Sequence, residues 1–406
     1  MTDAQGLYKQ LTYKKQSGKG TAASGSGGQL LRRETATFNL QKDTYSSNEI
    51  TSHQQYTGDK HGIGRVSGTI NGLLSGATYA EFMAAVLRRA FAATSSITSL
   101  SLTIAAGSGS SWTITRASGD FLTGGIKIGD VVRLAGGSLD PANVGKNLVV
   151  TGVTATVLTV LVMNESSLTA EGPIASCTVS VPGKKTLAPT SSHTNDYFTV
   201  EEWHSDLSRS HLYTDVQVGR IDVGLPATGN ATMQLSLMGL ARTKSGSQVL
   251  TTPTAETTSE ILTAVNGIAL FAGTRQLAIT SANISIDGQM NFGEAVVGSN
   301  AISDMTKGDI KVSGSFTAVF QDDTISDYLD SENATSLVLI LAENDDADAE
   351  FVTFSMSRVK VLTDDKDDGK KQIIQTFNFT AEINGAGGAA LANDQTILTI
   401  QDSLVA

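Results

Sequence analysis

The chain has 406 residues, with 40 acids against 29 bases for a formal net charge of −11; 40% are hydrophobic and only 17% charged. That size suits two or three domains with a real core, and ordinary apolarity at low charge speaks against disorder. No run approaches the ~20 apolar residues of a membrane helix, a single cysteine, Cys177, excludes a disulfide framework or Cys-based zinc site within one chain, and the acidic balance disfavours a dedicated nucleic-acid grip.

Met1 to Gln10 shows no apolar signal segment. Residues 1–34 read as a flexible arm, because Gln16 to Gly28 is rich in Gly and Ser with no apolar period. Lys9, Lys14, Lys15 and Lys19 make this arm basic, suited to lying on an acidic neighbouring subunit. From Thr35 the pattern alternates with period two, as in Ala36 to Leu40 and Val66 to Ile70, which predicts strands. One helix follows, with Thr78 as its expected cap and Tyr79, Phe82, Met83, Val86 and Leu87 at helical spacing. Five short strands with Gly-rich turns then occupy 97–187, starting at Trp112, Gly129, Asn147, Val157 and Cys177. They predict a small inserted barrel, SH3-like in kind.

Beyond it the chain repeats itself. Val66-Ser67-Gly68-Thr69-Ile70 returns as Val312-Ser313-Gly314-Ser315-Phe316, 246 residues later. The same offset carries Phe38 to Ile284, Leu40 to Ile286, Thr78 to Thr324 and Phe82 to Tyr328 without a gap. The later strands match more loosely: Phe198 to Trp203 with Ser336 to Leu341, His211 to Val223 with Phe351 to Val361, and Asn230 to Gly239 with Gln372 to Glu382. Each half reads as strand, long loop, strand, helix and three strands. The expected division is a first domain of 35–96 plus 188–245, the inserted barrel 97–187, and a second domain of 246–406.

Catalytic and metal motifs fail on inspection. Gly224 to Ala231 imitates a phosphate loop but lacks its Lys and Ser/Thr. Asp364 to Gly369 imitates a calcium loop but places Lys366 where an oxygen ligand is needed. Asp206, Ser208, Ser210 and His211 invite a hydrolase reading, without a nucleophile elbow. His204 and His211 read as loop or surface residues and Trp203 as core. No enzyme, cofactor or metal is expected.

Alternation puts Val66, Ile70, Val312, Phe316, Phe377 and Phe379 on a core face. The opposite face carries Ser67, Thr69, Asn71, Ser313, Ser315, Thr317, Thr376, Asn378 and Thr380, with the acids Asp222 and Glu382. It is either an ordinary solvated face or the wall of a pore. A duplicated sheet has two similar edges that invite pairing between subunits, and a wall poor in Lys and Arg lets duplex DNA pass without adhesion.

These residues resemble the tail tube (major tail) proteins of long non-contractile-tailed, siphovirus-type phages. The resemblance rests on Ile50 to His53, His61-Gly62, Val66 to Ile70, Tyr79 to Phe82, Leu225 to Ala231, Val296 to Asn300, Lys311 to Phe316 and Gln375 to Phe379, in that order. It implies a mainly β fold of two tandem β-sandwich or split-barrel tube domains, each with one helix, plus the inserted barrel. It implies stacked rings, of which a trimer with pseudo-sixfold symmetry is favoured and a hexamer is the alternative. Lumen-facing residues would come from the polar set above. Loops 41–61 and 287–308 would brace adjacent rings through Asn48, His53, Asp59, Asn291, Glu294 and Asn300, with Lys14, Lys15 and Lys19 of the arm. Implied partners are other copies of the chain, the tape measure, terminator and distal tail proteins, and DNA in passage, with no membrane; implied locations are the virion tail and, before assembly, the host cytoplasm. The rival reading is a carbohydrate- or surface-binding β module with Trp112 and Phe121 of the inserted barrel as stacking residues.

Overall fold

A computed structural model of the chain describes residues 3–226, 228–275, 279–368 and 370–406. Ala227 of the phosphate-loop imitation and Gly369 of the calcium-loop imitation lie outside them. The first half contains β1 (Lys9–Lys15), β2 (Gln29–Leu30), β3 (Thr35–Ser46), β4 (Asp59–Leu73) and helix α1 (Ala80–Leu87). An insertion follows, with β5 (Ile97–Ala106), β6 (Trp112–Arg116), β7 (Val131–Gly136), β8 (Leu148–Val153), β9 (Val157–Val162) and β10 (Glu171–Ser180). The chain returns through β11 (Lys184–Leu187) to β12 (Phe198–His204), β13 (Arg209–Leu225), β14 (Thr232–Gly239) and β15 (Ala241–Ser245). The second half holds β16 (Gly267–Phe271), β17 (Thr274–Arg275), β18 (Ile279–Asp287), β19 (Met290–Phe292), β20 (Met305–Lys307) and β21 (Lys311–Val319). It continues with helix α2 (Ser326–Asp330), β22 (Thr335–Ala342), β23 (Phe351–Lys366), β24 (Ile374–Ala381) and β25 (Thr399–Asp402).

The repeat is structural down to its irregularities. Helices α1 and α2 start 246 residues apart. β13 has a register shift between Val218 and Arg220 against β14, and β23 has the matching one between Val361 and Thr363 against β24. β12 shifts against β13 between Phe198 and Val200; β22 does so against β23 between Thr335 and Leu337. These paired bulges align β12 with β22 at an offset of 137 residues, one fewer than the sequence match suggests, and β13 with β23 at 143. Each bulge lets one long strand bend from one sheet into another.

Eight strands form one antiparallel sheet, in the order β3-β4-β14-β13-β18-β21-β24-β23. Four come from each half, and the seam is β13 against β18. Two smaller sheets pack on its apolar side. One is β2-β1-β12-β13-β15; the other is β17-β16-β22-β23-β25-β11. A single core runs between the layers and through both halves, including Val66, Ile70, Phe82, Ile221, Ile286, Val312, Phe316, Phe377 and Phe379.

The repeated Ser-Gly pair has a packing cause. A Cβ at Gly68 would strike the Phe38 ring, and one at Gly314 would strike the Asn283 carbonyl and the Phe379 ring. In both copies an aromatic ring lies across the bare glycine of the neighbouring strand.

The N-terminal segment is not a free arm. Its β1 pairs with β12 and buries Leu11 and Tyr13, with the Tyr13 ring 4.6 Å from that of Phe82. β16 takes the equivalent place in the second half, where Phe271 meets Tyr328 at 5.2 Å. Two apolar residues in a basic segment are too short a run to register as a strand. Thr78 does not cap α1: Tyr79 occupies the cap position without a side-chain bond, and the Thr78 hydroxyl bonds those of Ser75 and Thr257 at 2.6 Å.

The inserted barrel is closed and has six strands, not five. The extra one, β5, pairs with β10 and β6; its Thr/Ser-rich sequence hides the alternating Leu100, Leu102 and Ile104, which are core. Although it emerges from the first half, the barrel rests on the second. Val131, Val149 and Met163 pack on Ile268, Leu270, Val338, Ile340 and Phe351. The Gln401 side chain bonds both the N–H and the C=O of Val131, and the Lys127 ammonium donates to three carbonyls, of Gly388, Ala389 and Leu391. This contact explains why β22 is an unbroken apolar run: both its faces are covered.

Two expected outcomes follow from this packing. Gly68→Ala and Gly314→Ala each overfill a ring-on-glycine contact and should cost about 1–3 kcal/mol, measured as a lower urea midpoint; an unchanged midpoint would refute the contact. Asp402 is buried, with its carboxylate accepting from the N–H groups of Ala77 at 2.7 Å and Leu404 at 3.0 Å. Burial outweighs those bonds and pushes its pKa up to about 6. The folded state therefore binds more protons than the unfolded chain between about pH 4 and 6, and stability falls as pH rises through that window. Asp402→Asn should flatten that part of the stability–pH curve.

Candidate functional site: a polar sheet face and two open edges

The side of the eight-stranded sheet turned away from the core is built by strict alternation. In register, one row crosses all eight strands: Lys360, Thr380, Ser313, Ser285, Asp222, Gln234, Asn71 and Thr35. Ser67 and Ser313 are exposed, and Thr69, Asn71, Asp222, Ser315, Thr317, Thr376, Asn378, Thr380 and Glu382 are half-buried on the same side. The structure thus brings the predicted polar residues of both halves onto one continuous surface.

Short hydrogen bonds run between neighbouring strands on this face. The Gln234 amide donates to Asn71 Oδ1 at 2.9 Å, and the Asn71 amide donates to Thr35 Oγ1 at 2.8 Å. The Asn283 amide donates to Ser315 Oγ at 2.9 Å and the Asn378 amide to Thr363 Oγ1 at 2.8 Å. These bonds occupy the side chains with each other.

The acids are not bare. Arg220 lies two residues before Asp222 on the same strand face, and its guanidinium holds that carboxylate at 2.8 Å. Arg358 holds Glu382 at 3.0 Å, with Lys360 4.0 Å away. At one margin Arg65 holds Asp43 through two bonds of 3.0 Å. The sequence reading that Lys and Arg are scarce here is corrected: Arg220, Lys311, Arg358 and Lys360 lie on this face, with Arg220 and Arg358 each paired to an acid. It also missed Asn283 and Ser285 on β18, although the 246-residue offset from Thr37 and Asn39 marks them.

Both borders of this sheet are open among the described residues. β3 pairs only with β4, and Lys360 to Lys366 of β23 pair only with β24. By the repeat, β3 is the counterpart of β18 and the end of β23 is the counterpart of the end of β13. The two unpaired borders are therefore copies of the two strands that already join at the internal seam.

Beyond the sheet, β3 and β4 extend as a hairpin with its tip at 47–58, while β19 and β20 carry a second tip at 293–304. Asn48, His53, Asp59, Asn291, Glu294 and Asn300 are exposed on or beside these tips. So are Ile50, Val296 and Val297. Lys14, Lys15 and Lys19 are instead engaged within the chain. Lys14 donates to the carbonyls of Ser24 and Ser26, Lys15 meets Asp196 at 2.8 Å, and Lys19 meets Asp304 at 3.1 Å. In the inserted barrel Phe121 is fully buried and offers no ring for stacking a sugar, while Trp112 is half-buried and packs against the barrel core. Trp203 lies half-buried outside the main core.

A polar sheet bordered by two unpaired, mutually matching strands is the equipment of a structural subunit that adds to copies of itself. A family model described as phage tail tube protein matches residues 6–381, and the chain belongs to that family. It is a structural protein of the phage tail, placed by its family in a multimeric tube with other tail proteins. A search of curated proteins finds no match.

Proposed function

We propose that the chain closes into a trimeric ring whose continuous inner wall is the polar sheet face, and that stacked rings form the conduit for DNA during ejection. The chain then divides into a first tube domain of 35–96 and 188–245, completed by β1, a barrel of 97–187, and a second tube domain of 246–406. The observation that carries this reading is the seam between β13 and β18. It pairs Arg220 with Asp287, Ile221 with Ile286, Asp222 with Ser285 and Val223 with Ile284. Carried through the repeat offsets, the same joint between two chains pairs Thr363 with Gln41, Asp364 with Leu40, Asp365 with Asn39 and Lys366 with Phe38. Each chain supplies half of its own ring contacts internally and the rest through its two borders.

Strand number selects the ring size. At about 4.8 Å between strands and about 40° tilt, three chains of eight strands make a 24-strand barrel about 48 Å across at the backbone. Two chains would give sixteen strands, a width that leaves only a small aqueous channel; six would give about 96 Å by the same geometry. The trimer is wide enough for a duplex with a hydrated margin. Its wall offers few free cations to phosphate, since Arg220 and Arg358 are committed to Asp222 and Glu382 and leave Lys311 and Lys360. Counterion release, which drives adhesion to DNA, is correspondingly small. The exposed Ile50 and Val296-Val297 tips supply apolar contact to the next ring.

The register is testable by cross-linking. Residues directly opposed across antiparallel strands have Cα atoms about 4.5–5.5 Å apart, within disulfide range. A chain carrying both Asn39→Cys and Asp365→Cys should oxidise to a covalent closed trimer in denaturing gels, while Asn39→Cys with Leu362→Cys should not. Monomers from the first pair under conditions where rings are seen by electron microscopy would refute the register. Asp222→Lys frees Arg220 and adds a second cation beside it. Tubes should still assemble, but ejection from intact virions should slow, most at low salt; an unchanged ejection rate at low salt removes Asp222 from the wall.

A further inference from the structure

We propose that Glu202, His204 and His211 form a binding site for one divalent transition-metal ion of the zinc class. Glu202 and His204 lie two residues apart on β12 and so share a face; His211 is registered directly opposite Glu202 on β13. One ligand atom of each lies within 4.8 Å of the other two. The two imidazole rings are 5.8 Å apart and inclined at 70°. Glu202 is buried, and the Nδ1 atom of His204 is buried without a hydrogen-bond partner among the described residues. The Tyr213 hydroxyl donates to Glu202 Oε2 at 3.0 Å, which fixes the carboxylate as an outer-shell partner fixes a metal ligand. The other oxygen, Oε1, faces the Lys9 ammonium, itself also bonded to the Ala36 carbonyl at 2.9 Å. Lys9 is the competitor a metal ion must move aside.

The duplication supplies an internal control. In the second half the registered equivalents of Glu202, His204 and His211 are Leu339, Leu341 and Phe354, all buried. Gly267 stands where the first half has Lys9, and Met356 where it has Tyr213. An apolar set fills this corner of the fold, so packing does not require two imidazoles and a carboxylate there. A buried polar atom costs free energy unless it is satisfied, and a bound cation satisfies the unpartnered His204 Nδ1. Imidazole and carboxylate together suit zinc, cobalt and nickel. Tetrahedral coordination at about 2.0–2.1 Å places ligands about 3.3 Å apart, within reach by side-chain rotation on the fixed strands. The fourth position is left for water.

The test is titration of the metal-free full-length chain with CoCl₂, read by the visible absorption of tetrahedral Co²⁺ and reversed with ZnCl₂. One ion per chain is expected. His204→Leu and His211→Phe place the second half's residues in the first and should keep the fold by circular dichroism. Each should weaken Co²⁺ binding about tenfold or more. Lys9→Gln, which removes the competing charge, should tighten it. Absence of a tetrahedral Co²⁺ spectrum, or equal binding by His204→Leu and the unaltered chain, overturns the site. Should His211→Phe not fold, His204→Leu carries the same decision. Ring formation is scored separately by microscopy, so failure of the metal site and failure of the tube reading are told apart.

Discussion

The backbone pairing of β13 with β18 is the constraint on which the rest of this molecule depends. It turns two four-stranded sheets into one of eight, aligns the polar rows of the halves, and leaves at each border a strand whose counterpart is already paired inside the chain. Hydrophobic pairs at the seam, Ile221 with Ile286 and Val223 with Ile284, keep it in register from the core side. A one-residue slip would turn the two apolar side chains of the displaced strand onto the polar face, so the joint specifies itself. The outer border strand is more polar: Asp364 stands where Ile221 does and Lys366 where Val223 does. Asp364 is held by Ser326 and Gln375, and Lys366 lies over the Phe320 ring. Such charges on an open edge guard a lone subunit against indiscriminate strand pairing.

Much of this was legible because duplication doubles the signal. The Ser-Gly pairs at 67–68 and 313–314 and the fixed offset located both halves, and plain alternation separated the core face from the polar one. What stayed hidden depended on contacts between distant residues. Leu11 and Tyr13 look like incidental apolar residues in a basic segment until β12 and Phe82 are beside them. The strand at 97–106 hid in Ser and Thr. Arg220 and Asp222 are adjacent on a strand face, so their mutual neutralisation was in principle readable from spacing two, whereas the pairing of Arg358 with Glu382 required knowing which strands meet. His204 and His211 read as loop or surface residues in the sequence, and only the β12–β13 register makes them neighbours.

Glu201 shows how the two halves are tied beyond the seam. Fully buried, its carboxylate accepts from the N–H groups of Val249 and Leu250, each at 2.7 Å, and from the Ser210 hydroxyl at 2.5 Å. It anchors the segment that crosses from one copy to the next. Asp402 performs the reverse service, clamping the last strand of the second copy to the turn before α1 in the first.

The route of the polypeptide through the small barrel has a consequence for synthesis on the ribosome. Its docking residues Val131, Val149 and Met163 are made early, yet their seat is not complete until Phe351 has been translated. At about 5–20 residues per second this leaves an apolar flank uncovered for on the order of 10–40 s. During that interval the nascent chain presents a sticky surface that the finished subunit does not have, which makes this stage of its life the one in most need of a chaperone.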